Sequence, residues 1–252
     1  MKVINVQSSL LKNFRHGFFT RKGGASKGIY KGLNCGISSS DDAKTVLSNR
    51  NLVAQHMGTY VDNIIGVNQI HSIEAIICDK KFEIAPKADA LVTNTPGLLL
   101  SVLTADCQPV IFADKKNSVI GIAHAGWRGA LNGVLTSTIN KMEFLGAERK
   151  QISAVIGPCI SQAAYEVDLD FFEKFTNPNK KNRSFFYYNS DTKKYHFDLP
   201  NFSLKLLKEA NILSAEWTGH CTYNDPKRFF SYRRSCHKNE PDYGRLISAI
   251  ML

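Results

Sequence analysis

The chain has 252 residues, 43% of them hydrophobic and 21% charged, with a net charge of +10. That composition is ordinary for a globular protein and long enough for a sizeable core. It excludes a membrane-spanning chain: the longest apolar run, 98–103, is interrupted by Ser101 and ends at once in Thr104 and Asp106, well short of the roughly 18–20 apolar residues a span needs. The first residues lack a continuous apolar segment and a small-residue cleavage site, so no signal peptide is expected and the location expected is cytoplasmic.

In chain order, 16–40 is expected to be loop-rich, punctuated by Gly23, Gly24, Gly28, Gly32 and Gly36. Asp41 and Asp42 precede a helix over 43–57 whose apolar stripe is Val46, Leu47, Leu52 and Val53. Strands are expected at 63–67 and 72–78. Three buried strands follow at 98–103, 109–113 and 119–123, the last two joined by the polar turn 114–118 as a hairpin. Gly126-Trp127-Arg128-Gly129 opens a helix over 129–144, with Leu131, Val134, Leu135 and Ile139 on one face. A strand at 152–156, helices at 168–175 and 201–210, and a short strand or helix at 246–251 complete the chain. The basic stretch 174–194 interleaves Lys and Arg with Phe185, Phe186, Tyr187 and Tyr188, and reads as a solvated loop entering an aromatic strand. No linker or repeat divides the chain, so one domain over 1–252 is expected. Helices and strands mix without strict alternation, which favours an α+β fold.

The cysteines stand at 35, 78, 107, 159, 221 and 236, with no pair at CxxC spacing. This excludes a zinc finger or a thioredoxin-like motif, and thiols are expected rather than disulfides. Folding the central hairpin about its turn places position 109 opposite His124, with Cys107 just beyond, so the thiol and the imidazole meet across neighbouring strands about 4.8 Å apart. His71 closes a strand-like segment and can project into the same pocket. Two chemistries use these residues. Cys107, His124 and His71 are a catalytic zinc ligand set with the fourth position open. Alternatively, Cys107 is a nucleophile, His124 its base and Asp106 or Asp89 the orienting group.

The segments VNQIHS (67–72), ADALVT (88–93), SVLTADCQPV (101–110), AHAGWRG (123–129), IGPCI (156–160), YEV (165–167), HCTY (220–223), SYRR (231–234) and GR (244–245) together resemble the YfiH-like family. This is also known as the multicopper polyphenol oxidase (laccase-domain) or purine nucleoside phosphorylase family, and it includes the peptidoglycan editing factor. GFFTRKGG (17–24), LNCG (33–36) and NR (49–50) extend the resemblance over nearly the whole chain. It implies an α/β/β/α layered sandwich with mixed sheets and a zinc ion on His71, Cys107 and His124, copper being the alternative metal. The family usually has Gly after the first ligand; here Ser72 stands there, where its hydroxyl would narrow the pocket or bond a substrate.

Four activities attach to the resemblance. Three copper types need many histidines, often as His-x-His pairs; seven His without such a pair argue against a polyphenol oxidase. Zinc-dependent phosphorolysis of purine nucleosides such as adenosine, inosine and methylthioadenosine fits an open metal site, as does adenosine deamination. For the deamination, Asp106 and Glu74 are the candidate acid/base groups. Phosphate would be held by Arg21, Arg50, Arg128 and Arg233, since guanidinium suits bidentate oxyanion binding, and by the amides that begin the 129–144 helix. Amide hydrolysis of a UDP-linked peptidoglycan precursor is the other enzymatic alternative. Trp127 is expected to be a packing anchor, Cys159 and Cys221 buried thiols, and Tyr165 and Tyr232 candidate walls of a purine pocket. The partners expected are a nucleoside and phosphate, with neither nucleic acid nor membrane.

Overall fold

The computed structural model describes residues 2–252. Strands β1 (Asn5–Val6) and β2 (Arg15–Phe19) are followed by a loop-rich stretch and helix α1 (Ala43–His56). Next come β3 (Ile64–Ile65), β4 (Ala75–Ile77), β5 (Ala90–Thr93), β6 (Leu99–Thr104), β7 (Gln108–Asp114) and β8 (Val119–Ala125). Helices α2 (Trp127–Asn132) and α3 (Val134–Phe144) lead into β9 (Ile152–Ile156). The remainder is β10 (Glu166–Val167), α4 (Leu169–Thr176), β11 (Phe186–Asn189), β12 (Lys194–Phe197), α5 (Leu199–Glu209), β13 (Ser214–Trp217), α6 (Tyr232–His237) and β14 (Leu246–Met251).

Two mixed sheets face each other. One has the order β1-β2-β14-β6-β3 and the other β13-β9-β7-β8-β5-β4. Between them Phe18, Leu100, Val102 and Ile250 pack on Leu91, Ile111, Ile120, Ile122 and Val155. On the outside of the first sheet, Phe19, Leu99, Ile247 and Ala249 meet Val53 and Ala54 of α1 and Met57 just after it. On the outside of the second, Val92, Val110, Phe112 and Ala123 meet Val134, Leu135, Ile139 and Met142 of α3 and Leu207 of α5. The result is the expected α/β/β/α layering. Every residue of β7, β8 and β9 is buried, because strands covered on both faces read as continuous apolar runs rather than alternating ones. A small third sheet, β10-β12-β11, lies over an aromatic cluster of Phe171, Phe175, Phe197 and Phe202.

Several elements differ from the sequence expectation. The 129–144 helix is two helices, because Gly133 takes φ 111° and ends α2 as it caps α3; only glycine enters that region without strain. Leu131 therefore faces the aromatic cluster, away from the core face of α3. Leu47 of α1 is exposed while Val46 and Val53 are buried. The strand expected over 63–67 shrinks to β3, behind a 3-10 turn at Val61–Asn63. The strand expected over 72–78 begins only at Ala75, because Ser72 is drawn to the Asp89 carboxylate. β2 lies where loop was expected at its 16–19 end, and β1, β5, β10, β12 and β13 were not anticipated. The basic stretch enters β11 through a 3-10 turn, Lys180–Phe185, rather than a loop. Residues 246–251 form a strand, β14, at the centre of the first sheet.

Candidate active site

The hairpin of β7 and β8 sets the register of the site: Pro109 lies opposite His124 and Gln108 opposite Ala125. Its turn is closed by Asp114, whose carboxylate accepts from the Asn117 amide and side chain at 3.1 and 2.8 Å. Cys107 therefore sits at the strand mouth beside His124. His71 arrives from the segment after β3, with a left-handed φ of 59°. The three donor atoms lie within 4.8 Å of one another. Cys107 Sγ is 3.9 Å from His71 Nε2, and the two imidazoles meet edge to face with centroids 4.7 Å apart. Among the described residues this is the one cluster of three or more His, Cys, Asp or Glu donors at metal-binding distance.

One buried carboxylate arranges both histidines. Asp89 accepts from His124 Nδ1 at 2.8 Å and from the backbone amides of Ile70, His71 and Ser72. The first bond assigns the tautomer: Nδ1 carries the proton, and the lone pair of Nε2 is left for the cluster. The three amides hold the 70–72 turn and with it the strained backbone of His71. Ser72 Oγ donates to the same carboxylate at 2.7 Å, so it braces the ligand loop instead of narrowing the pocket or meeting a substrate. Burial alone would raise the Asp89 carboxyl, but the hydrogen bonds from His124 and Ser72 outweigh it and hold the group down at about 2.

The same balance acts on the other donors. Burial works against a Cys107 thiolate, yet the charge and hydrogen bonds of His124 and His71 bring the thiol down to about 6. Burial also disfavours protonated His124, but the Cys107 thiolate and Asp89 carry it up to about 9. Each of these two groups favours the charged form of the other, and a metal would take the place of the proton on His124 Nε2. The space is shaped for an ion as well. A Cβ on Gly126 would stand 3.0 Å from His71 Cδ2 and 3.1 Å from Cys107 Sγ, so a glycine keeps the cradle open. A thiolate and two imidazoles with an ordered second layer fit a zinc-type centre.

A cavity of about 620 Å³ opens over the cluster. Trp127, Tyr165, Tyr232 and Tyr243 supply aromatic surface, and Arg128, Arg233 and Arg245 supply charge. Arg128 lies over the Trp127 ring at 4.4 Å, and Arg233 donates to the Glu166 carbonyl at 2.8 Å. Trp127 is thus both a cavity wall and the expected packing anchor, its ring 4.9 Å from that of Phe171.

Other expected site residues fall elsewhere. Arg21 donates to the Lys31 and Pro226 carbonyls and stacks on Phe230, and Arg50 turns to the Cys35 carbonyl; neither lines the cavity. Glu74 is outside it too. Asp106 borders the cavity, but its carboxylate accepts from Thr222 Oγ1 at 2.6 Å, Ser231 Oγ at 2.9 Å and the Arg233 amide at 2.7 Å. With φ 87° it clasps the Cys107 loop to the start of α6, an arrangement that suits positioning rather than proton transfer. α2 is a short helix of 6 residues, so its N-terminal dipole is weak, and the positive charge at the cavity comes from the arginine side chains. Cys159 is buried, and its backbone bridges that of the half-buried Cys221. Arg245 and Tyr243 had no site role in the sequence expectation; the GR pair at 244–245 was the available signal.

Residues 15–252 match the family described as multi-copper polyphenol oxidoreductase laccase. A purine nucleoside phosphorylase of Deinococcus radiodurans is 36% identical, with 94% of this chain and 88% of that protein covered. One from Haemophilus influenzae is 32% identical with 99% of each covered. The crystal structure of a Neisseria meningitidis protein superposes with a TM-score of 0.88 at 33% identity, over 100% of this chain and 99% of that one. The chain belongs to this laccase-like YfiH family, and its relatives bear the name purine nucleoside phosphorylase.

Proposed function

We propose that the protein is a zinc-dependent purine nucleoside phosphorylase acting on adenosine, inosine and methylthioadenosine. The observation that carries this is a cavity of about 620 Å³ that joins the His71–Cys107–His124 cluster to three arginines and four aromatic rings. A volume of this order suits a small organic ligand. Arg128 and Arg233 would hold phosphate, and the aromatic walls would sandwich the purine. Burial, and next the nearby Cys107 thiolate, drive the Tyr165 phenol well above its ordinary range. Tyr165 therefore keeps its proton and can donate a hydrogen bond to a purine nitrogen as the base departs. A phosphate oxygen bonds to the sugar C1′ while the C1′–N9 bond breaks, leaving ribose 1-phosphate and free purine. Asp106 sets Arg233 relative to Cys107 through the Arg233 amide. A zinc ion on the three donors would supply a Lewis acid with an open position. Deamination of adenosine to inosine is a second reaction we assign to the same cavity.

The whole chain reads as one catalytic unit, because Thr104 of one sheet and His124 of the other line the same cavity. Six unpaired cysteines suit a cytoplasmic setting, and no helix among the described residues is long and apolar enough to cross a membrane.

The Asp89–His124 bond beside Cys107 also favours a second reading, in which Cys107 attacks an amide carbonyl of a UDP-linked cell-wall precursor. It uses His71 only as a second partner of the thiolate and not as a third ligand, so we rank it second. Chromatography with mass detection of zinc-loaded protein given adenosine, with and without phosphate, decides between them. Adenine and ribose 1-phosphate formed only with phosphate are the expected result, and inosine would report deamination. Absence of all three with zinc bound would overturn the nucleoside reading in favour of the amidase.

A further inference from the structure

A second cavity of about 300 Å³ adjoins the first, and Trp127, Tyr165 and Arg233 line both. Val167 and Phe171 give it an apolar floor. Around that floor stand Glu166, Asp168, Lys194 and Arg233, two acids and two bases. Among the described residues none of the four takes part in a salt bridge. Asp168 accepts from the Phe171 amide at 2.8 Å as the cap of α4, and Arg233 is steadied by the Glu166 carbonyl and the Tyr165 ring. Lys194 and Asp168 are exposed at the mouth.

A purely anionic ligand would meet Glu166 and Asp168, and a purely cationic one would meet Lys194 and Arg233. A group that bears both charges on one carbon satisfies Glu166, Asp168 and Lys194 at once, with its apolar chain on Val167 and Phe171, and leaves Arg233 to the phosphate. We propose that this cavity is a subsite for an α-amino-acid group, so that the enzyme accepts purine nucleosides whose 5′ substituent ends in an α-amino acid. The inference rests on the nucleoside reading of the larger cavity. The 5′ carbon is the position at issue because the sugar can be extended there without obstructing the purine or the phosphate approach to C1′. The reaction itself is unchanged: the C1′–N9 bond breaks, the phosphate oxygen–C1′ bond forms, and the 5′ chain stays on the sugar.

Two probes isolate the amino-acid group. Methylthioadenosine carries a 5′ thioether without it, and S-adenosylhomocysteine carries a 5′ thioether that ends in it. Titration calorimetry of the full zinc-loaded chain should show the second binding tighter by about tenfold or more, as two charge-assisted contacts at a partly exposed site allow. Lys194→Glu should remove that advantage and leave methylthioadenosine binding unaltered, while Lys194→Arg should preserve it. Equal affinity for the two probes, or an advantage that survives in Lys194→Glu, would overturn the subsite. If neither probe binds although adenosine is phosphorolysed, the subsite falls and the nucleoside reading stands; if adenosine is not turned over either, both fall.

Discussion

The two sides of the main cavity are built differently. On the donor side, Cys107 and His124 sit at strand ends of a buried hairpin, and one carboxylate, Asp89, holds His124 and the backbone of His71 together. On the arginine side, Arg128, Arg233 and Arg245 project from helix starts and a loop, steadied by stacking on Trp127, Tyr165 and Tyr243 and by carbonyls. In the proposed function, chemistry that depends on close placement falls to the sheet, and recognition of a charged substrate to side chains with room to adjust. The difference implies that damage on the donor side removes metal and turnover together, whereas damage on the arginine side shows first in KM.

The sharpest break is Cys107→Ala, which should abolish both bound zinc, read by metal analysis, and phosphorolysis. Asp89→Asn keeps the shape but weakens the partner of His124 and the anchor of 70–72. Loss of an outer-shell partner typically lowers metal affinity about 10–100-fold, measurable by competition with a chelator. On the opposite side, Arg128→Ala should raise KM for phosphate about tenfold, the loss of one charge-assisted contact, with kcat little altered. A comparable fall in kcat alone would mean that Arg128 acts on the reacting atoms. Gly126→Ala is the mildest test of the donor cradle. The backbone at φ −68° accepts alanine, so only the crowding of His71 and Cys107 at 3.0 and 3.1 Å remains; a few-fold loss of metal affinity with an unaltered melting temperature is expected.

Acid stability addresses the same carboxylate. Asp89 is held at about 2 in the fold against about 3.9 in an unfolded chain. Its contribution is therefore complete above the unfolded value and is lost as pH falls through the folded one. Urea midpoints should drop between about pH 4 and pH 2, and Asp89→Asn should flatten that part of the profile.

How far each side is legible in sequence follows from the same contrast. The hairpin is readable because two apolar runs flank a polar turn, and the pairing of position 109 with His124 is what the structure shows. The approach of His71 to the cluster is less readable, since it depends on Asp89 collecting three amides from a turn distant in sequence. The arginines are least readable. Arg21 and Arg50 look the same as Arg128 and Arg233 in sequence, and only tertiary carbonyls, at Lys31, Pro226 and Cys35, draw the first two away. Arg245 follows Asp242 by three residues and resembles an ordinary surface pair, although it lines the cavity. The break at Gly133 did leave a signal, a glycine inside a helical pattern.

Everything proposed for the cavity depends on one metal ion held by His71, Cys107 and His124. Metal-stripped protein should be titrated with zinc while phosphorolysis of adenosine is followed. Turnover should rise in proportion to zinc and level off at one equivalent per chain. Full turnover in the presence of excess chelator, or activity that requires several equivalents of copper, would contradict this.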